Sequence, residues 1–123
     1  MASLIITSGD KKGEFLPLGH RTSVIGRAEA LPLQILDDLV SRKHLRVRYD
    51  EIAKRYYAGD MNSKHGTFIN RGKITHETAL VEGDDILIGE THLLFTDSDF
   101  NDRESALMHS QTVGERSRPT RIE

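Results

Sequence analysis

A chain of 123 residues, 37% hydrophobic and 29% charged, has the length and composition of one globular domain with one ordinary core. No apolar run approaches the roughly 18 residues of a membrane span, and the absence of cysteine excludes disulfides, thiolate metal sites and a cysteine nucleophile. A net charge of −2 argues against nucleic-acid binding through bulk charge. The opening Met1–Thr7 lacks the basic start and long apolar stretch of a signal peptide, so the expected compartment is the cytoplasm.

In chain order, Leu4-Ile5-Ile6 opens a first short strand, and Gly9–Gly13 is a polar turn. Glu14–Leu18 reads as a second strand, with Pro17 pointing to a sheet edge. Thr22–Ile25 is largely β-branched and ends at Gly26-Arg27. From Ala28 to Val40 the pattern is irregular, with Leu33-Gln34-Ile35 a short strand inside a long loop.

His44 to Tyr49 alternates, placing Leu45, Val47 and Tyr49 on one face and His44, Arg46 and Arg48 on the other. Ile52 to Ala58 is its expected hairpin partner. Asp60 to Gly72 then sets turn chemistry on both sides of the short strand Thr67-Phe68-Ile69. Asn62–Gly66 forms a loop that presents Ser63, Lys64 and His65, and Asn70-Arg71-Gly72 a tight hairpin. Gly66 and Gly72 offer positive φ without steric penalty. Ala79-Leu80-Val81 and Ile86-Leu87-Ile88 flank a strong turn, Glu82–Asp85, whose acids look placed at a hairpin end. His92–Phe95 closes the set.

Many short strands at roughly 8–12-residue spacing, with no convincing amphipathic helix, predict an all-β fold. The expectation is a two-sheet antiparallel sandwich of about ten or eleven strands over residues 1–97. Residues 98–123 are rich in Ser, Asp, Arg and Glu and read as a disordered tail or linker, with a short helix conceivable over 103–108.

Arg27, Arg42, Lys43 and Lys64 all fall in expected loops, a focused basic site on a mildly acidic body. Arg27, directly after a strand, offers a planar fork that fits phosphate or carboxylate oxygens. Ser41 can donate a hydroxyl, Arg42 or Lys43 adds charge, and Lys64 adds a point charge from another loop. Together they resemble a socket for a compact dianion such as a phosphoamino acid, which carries roughly −1.5 to −2 at neutral pH. His44 has two readings: a ligand or base, or a buried imidazole bonding loop backbone. The second is preferred, because no partner stands at metal or triad spacing. Asp60, Ser63 and His65 contain the residue types of a hydrolytic triad, but crowding them into one turn disfavours triad geometry. No nucleotide-type glycine-rich phosphate loop is present. The expectation is binding without catalysis, metal or cofactor.

Four short motifs in order resemble the forkhead-associated domain family over Leu4 to about Phe95. They are Gly26-Arg27, Ser41-Arg42-Lys43-His44, His65-Gly66-Thr67-Phe68-Ile69-Asn70, and Gly83-Asp84-Asp85-Ile86-Leu87-Ile88-Gly89. The resemblance implies a β-sandwich that recognises phosphothreonine in partner proteins of Ser/Thr-kinase signalling, the partner being a kinase or its substrate. It also implies that Arg27, Ser41, Arg42 and Lys64 hold the phosphopeptide, with His65 beside it. Gly26, His44, Gly66, Thr67 and Asn70 would support the site. One departure stands out: His65 occupies the place of an asparagine that bonds the peptide backbone. A neutral imidazole keeps one donor and one acceptor, and a protonated one adds charge towards the phosphate. Two further expectations accompany this reading. A phosphorylated Thr112 or Thr120 of the tail can dock onto a second copy, and the alternative function is a phosphate-independent scaffold that binds through a sheet face.

Overall fold

The alternation read in the sequence decides which side chains enter the core. In the computed structural model, which describes residues 2–97, eleven strands assemble into two sheets packed face to face. They are β1 (Ser3–Ile6), β2 (Phe15–Pro17), β3 (Ser23–Gly26), β4 (Leu33–Gln34), β5 (Leu45–Asp50) and β6 (Arg55–Asp60). The remainder are β7 (Thr67–Ile69), β8 (Gly72–Lys73), β9 (Thr78–Ala79), β10 (Asp85–Ile88) and β11 (Thr91–Thr96). One sheet has the order β2-β1-β11-β10-β7-β8 and the other β4-β3-β5-β6-β9. The all-β sandwich is therefore as expected. The tail read over 98–123, including its conceivable helix, lies outside the described residues.

Alternate residues of both sheets meet in the middle. Leu4, Ile6, Ile86, Ile88, Leu93 and Phe95 come from the first sheet, and Ile25, Leu45, Val47, Tyr56 and Ala58 from the second. Burying each large aliphatic side chain contributes about 1.5–3 kcal/mol, so this layer sets the rigidity of the loops that leave it. Ile5, Leu94 and Phe15 form a separate small cluster across β2, β1 and β11, since Ile5 alternates with the core residues Leu4 and Ile6. Pro17 sits on β2, an edge strand, where its missing N–H costs no ladder bond.

Four local readings change. β4 pairs with β3 in parallel, Ile25 with Leu33 and Gly26 with Gln34, so the second sheet is mixed. The loop 27–32 leaves the end of β3 and returns alongside it in the same direction. The β5–β6 hairpin turns at 51–54, so β6 begins later than Ile52; that isoleucine is an exposed turn residue, and Lys54 takes a left-handed φ of 58°. Glu82–Asp85 does not close a hairpin: it carries the chain from β9, on the edge of one sheet, to β10 inside the other. Finally, the β7–β8 turn places its positive φ on Asn70 (50°) and Arg71 (77°), as a two-residue hairpin turn requires, and Gly72 is already in β8.

Candidate functional site

The strand directions bring three loops to one end of the sandwich: 27–32 after β3, 35–44 before β5, and 61–66 between β6 and β7. Gly26 makes their close approach possible. A Cβ built there would lie 2.2 Å from the Arg42 carbonyl oxygen and 2.8 Å from that of Ser41, both rigid backbone atoms. With no side chain in the way, the 41–44 segment is strapped to the end of β3. Arg27 N–H donates to the Ser41 carbonyl (3.0 Å), Ala28 N–H to that of Arg42 (3.2 Å), and His44 N–H to that of Ile25 (3.0 Å).

His44 is fully buried and ties two loops together. The Ser41 backbone N–H can only donate, so His44 Nδ1 accepts from it at 3.0 Å. The proton then sits on Nε2, which donates to the Gly66 carbonyl at 2.8 Å. This is the buried imidazole bonding loop backbone that the sequence suggested. Gly66 itself is at φ +90°, a conformation that a side chain at this position would strain.

Asp60 organises the 61–66 loop. Its carboxylate accepts from the Ser63 hydroxyl (2.5 Å), the Ser63 N–H (2.9 Å) and the buried Thr67 hydroxyl (2.7 Å). The Ser63 oxygen in turn accepts from the Gly66 N–H at 2.8 Å. Burial pushes the Asp60 carboxyl upward, but these hydrogen bonds together outweigh it and hold the group below the ordinary carboxylate range. Asp60 Oδ1 lies 3.8 Å from His44 Nε2, which is too long for a hydrogen bond. The Ser63 hydroxyl is therefore committed to a carboxylate, with no imidazole base acting on it, and the residue types of a triad here serve as loop bracing.

On this base stand the polar heads. Arg27 donates from Nε to the Val40 carbonyl at 2.9 Å, so one edge of its guanidinium is held while the residue stays exposed. The Ser41 hydroxyl oxygen accepts from the Lys64 backbone N–H at 3.0 Å, leaving its own proton to donate elsewhere. That one bond joins the 35–44 and 61–66 loops at the surface. Arg27, Arg42, Lys43, Lys64 and His65 are all exposed there, whereas Ser41 is half-buried. Of the supporting residues expected, Gly26, His44, Gly66 and Thr67 lie directly beneath this cluster. Asn70 does not: it braces the other end of β7, donating to Asp84 (2.8 Å) and accepting from the Asp85 N–H (3.0 Å).

Sequence reasoning missed Asp37. Its carboxylate accepts the N–H of Leu39 (2.9 Å), the N–H of Glu90 (2.7 Å) and the Thr91 hydroxyl (2.8 Å). Its carbonyl accepts the Val40 N–H at 2.9 Å. Asp37 thus fixes Val40, the residue whose carbonyl holds Arg27, and anchors this segment to the β10–β11 turn of the opposite sheet. Burial works against ionisation, yet the bonds from Leu39, Glu90 and Thr91 prevail and lower its pKa. The only local signal was an Asp two residues before an exposed Leu, the spacing of an Asx turn. Its distant partners are not visible in one sequence.

Comparison with known proteins agrees with this architecture. The FHA domain family model matches residues 23–89. The FHA domain-containing protein FhaB of Mycolicibacterium smegmatis is 32% identical over 88 residues, covering 72% of this chain and 56% of that protein. The chain thus spans little more than half the length of that relative. The oxoglutarate dehydrogenase inhibitor of Corynebacterium efficiens is 31% identical over 94 residues, covering 76% of this chain and 64% of that one. A solved structure from a structural and functional analysis of phosphothreonine-dependent FHA domain interactions matches with a TM-score of 0.70 at 26% identity, covering 80% of this chain and 98% of that one. The FhaA FHA domain complexed with the intracellular domain of Rv3910 matches with a TM-score of 0.69 at 27% identity, covering 77% and 99%.

Proposed function

The chain belongs to the FHA domain family, a family of interaction modules, and from that premise we propose that its loop end reads phosphothreonine on partner proteins in Ser/Thr-kinase signalling. The observation that carries this reading is the Ser41–Lys64 bond beside the pinned Arg27. It fixes a hydroxyl donor and one edge of a guanidinium fork on adjoining segments, which lowers the ordering cost of binding. Arg27 clamps two phosphate oxygens, Ser41 donates to a third, and Arg42 and Lys64 supply further charge against the roughly −1.5 to −2 of the ligand. His65 takes the place beside the phosphothreonine and bonds the peptide backbone. The site recognises its ligand and performs no chemistry. Its partners are phosphothreonine segments of a kinase or of a kinase substrate in the cytoplasm. Among the described residues no helix is long and apolar enough to cross a membrane.

The test is calorimetric titration with a degenerate phosphothreonine peptide library, beside phosphoserine and unmodified versions. Micromolar binding that requires the phosphothreonine supports the reading, and equal binding of the unmodified peptide favours the phosphate-independent scaffold. The His65→Asn variant is expected to bind within about tenfold of wild type, the range of one neutral hydrogen bond. The same chemistry accepts a phosphorylated Thr112 or Thr120 of a second copy. Both threonines lie outside the described residues, and identical light-scattering masses for phosphorylated and unmodified protein would rule that association out.

A further inference from the structure

The outward side chains of β1 and β11 are buried, although the second sheet packs on the opposite face. The register Ser3↔Thr96 and Ile5↔Leu94 sets these four side by side, alternating with the core residues Leu4, Ile6, Leu93 and Phe95. Ser3, Ile5 and Thr96 are 0% exposed and Leu94 5%. Among the described residues, the apolar side chain packed against Ile5 and Leu94 is Phe15 of neighbouring β2, itself only partly buried. Side chains that stand parallel out of one pleated face shield each other's flanks but not their tips. Zero exposure there needs a cover.

The burial is local, and its limits point to the occupant. Further along the same face, His92 and Asp85 bond each other at 3.0 Å, and their side chains are 44% and 41% exposed. Exposure therefore falls along β11 from His92 through Leu94 to Thr96, towards the place where the chain leaves the sheet. Glu82 pins that exit: its carboxylate accepts from the Thr96 hydroxyl at 2.9 Å and from the Asp97 N–H at 2.6 Å. The sequence beyond it supplies Phe100, Leu107 and Met108, at the i, i+7, i+8 spacing of one helical stripe. Phe100 comes three residues after Asp97, a reach of about 10 Å. Leu94 lies only about 7 Å back along the strand from Thr96.

We propose that the outer face of β1 and β11 is a docking surface for the chain's own segment 98–110, with Phe100, Leu107 and Met108 laid over Ile5 and Leu94. The inference is independent of the phosphothreonine reading, because none of the residues proposed to meet the phosphopeptide stands on this face. Docking gives the segment a fixed course beside the sandwich. It also closes this sheet face to other proteins, which bind here only by displacing the segment.

The experiment adds a soluble paramagnetic relaxation agent to the methyl-labelled 123-residue chain, as wild type and as the Phe100→Ser/Leu107→Ser/Met108→Ser variant. All three substitutions lie beyond β11, and the methyl groups of Ile25 and Val47, buried between the sheets, report that the core is kept. Wild type is expected to protect the methyl groups of Ile5 and Leu94 as fully as those of Ile25 and Val47. The variant should lose that protection at Ile5 and Leu94 alone, and melt at least about 4 °C lower. Broadening of Ile5 and Leu94 in wild type overturns the proposal, and so does protection that survives in the variant. Protection that disappears on dilution, together with a light-scattering mass of two chains, overturns it in favour of a second copy.

Discussion

Two basic regions of this molecule look alike in the sequence and differ in the structure. On the outer face of β5, Arg46 and Arg48 converge on Glu77. Arg48 donates to both carboxylate oxygens at 2.7 and 2.8 Å, and Arg46 approaches within 3.5 Å. Arg48 also lies over the Tyr57 ring, 4.9 Å from its centroid. At the loop end, by contrast, Arg27 commits only Nε, to a backbone carbonyl, and the anions nearby are engaged elsewhere: Asp60 holds Ser63 and Thr67, and Asp37 holds Leu39, Glu90 and Thr91. The sheet-face cations are occupied with the protein itself. At the loop end Arg27 is held in place by a neutral carbonyl, and no carboxylate among the described residues neutralises it. What separates a binding site from a solvated basic face here is which donors are left unused.

That contrast can be broken most severely at its foundation. Gly26→Ala puts a methyl group against the Ser41 and Arg42 carbonyls, so the strap must move. Phosphopeptide affinity should fall more than about a hundredfold, with a stability loss of about 1–3 kcal/mol from overpacking, read by calorimetry and thermal melting on the same samples. A milder break is Ser41→Ala, which removes the hydroxyl that accepts from Lys64 N–H and that the proposed reading turns to the phosphate. It should weaken binding about tenfold or somewhat more, as expected for one hydrogen bond to a charged group, and leave the melting temperature within a few degrees.

The smallest effect separates the two regions by pH and salt. Asp60 and Glu77 both have lowered pKa values, Asp60 because its hydrogen bonds outweigh burial and Glu77 chiefly through its bond from Arg48. A depressed carboxyl contributes stability above its unfolded pKa, about 4, and loses it as pH falls through the lower folded value. Melting temperature should therefore drop below about pH 4. Asp60→Asn should flatten that drop at low and high salt alike, whereas Glu77→Gln should matter more at low salt, since its half-buried ion pair is partly screened. Equal salt sensitivity for the two variants would contradict the distinction.

Much of this was legible in the sequence, and the limits have physical reasons. The core strands were readable because Leu45, Val47 and Tyr49 alternate with Arg46 and Arg48, a period imposed by the pleat itself. The candidate cluster was readable because Gly26-Arg27 and Ser41–His44 combine residue types of narrow use, and the fold brings their segments to one end of the sandwich. What escaped was everything set by contact across the fold. Asp37 acts through a turn more than fifty residues away, and the three donors that make Asp60 a loop brace are not visible in one sequence. β4 is only two residues long and held in parallel by the return of a loop, and no period reports that. At the β7–β8 turn, the glycine that invited positive φ stands one residue beyond the bend that uses it.

The central claim is that Arg27, and not the cations of the sheet face, meets the partner. The most direct measurement is calorimetric titration of one phosphothreonine peptide into wild type, Arg27→Ala and Arg48→Ala side by side. Loss of a charge-assisted bidentate clamp predicts at least about a thirtyfold fall for Arg27→Ala, and a change of less than about twofold for Arg48→Ala, whose charge is already engaged. Equal losses in the two variants, or intact binding in Arg27→Ala, would contradict the account and move the binding surface to the sheet face.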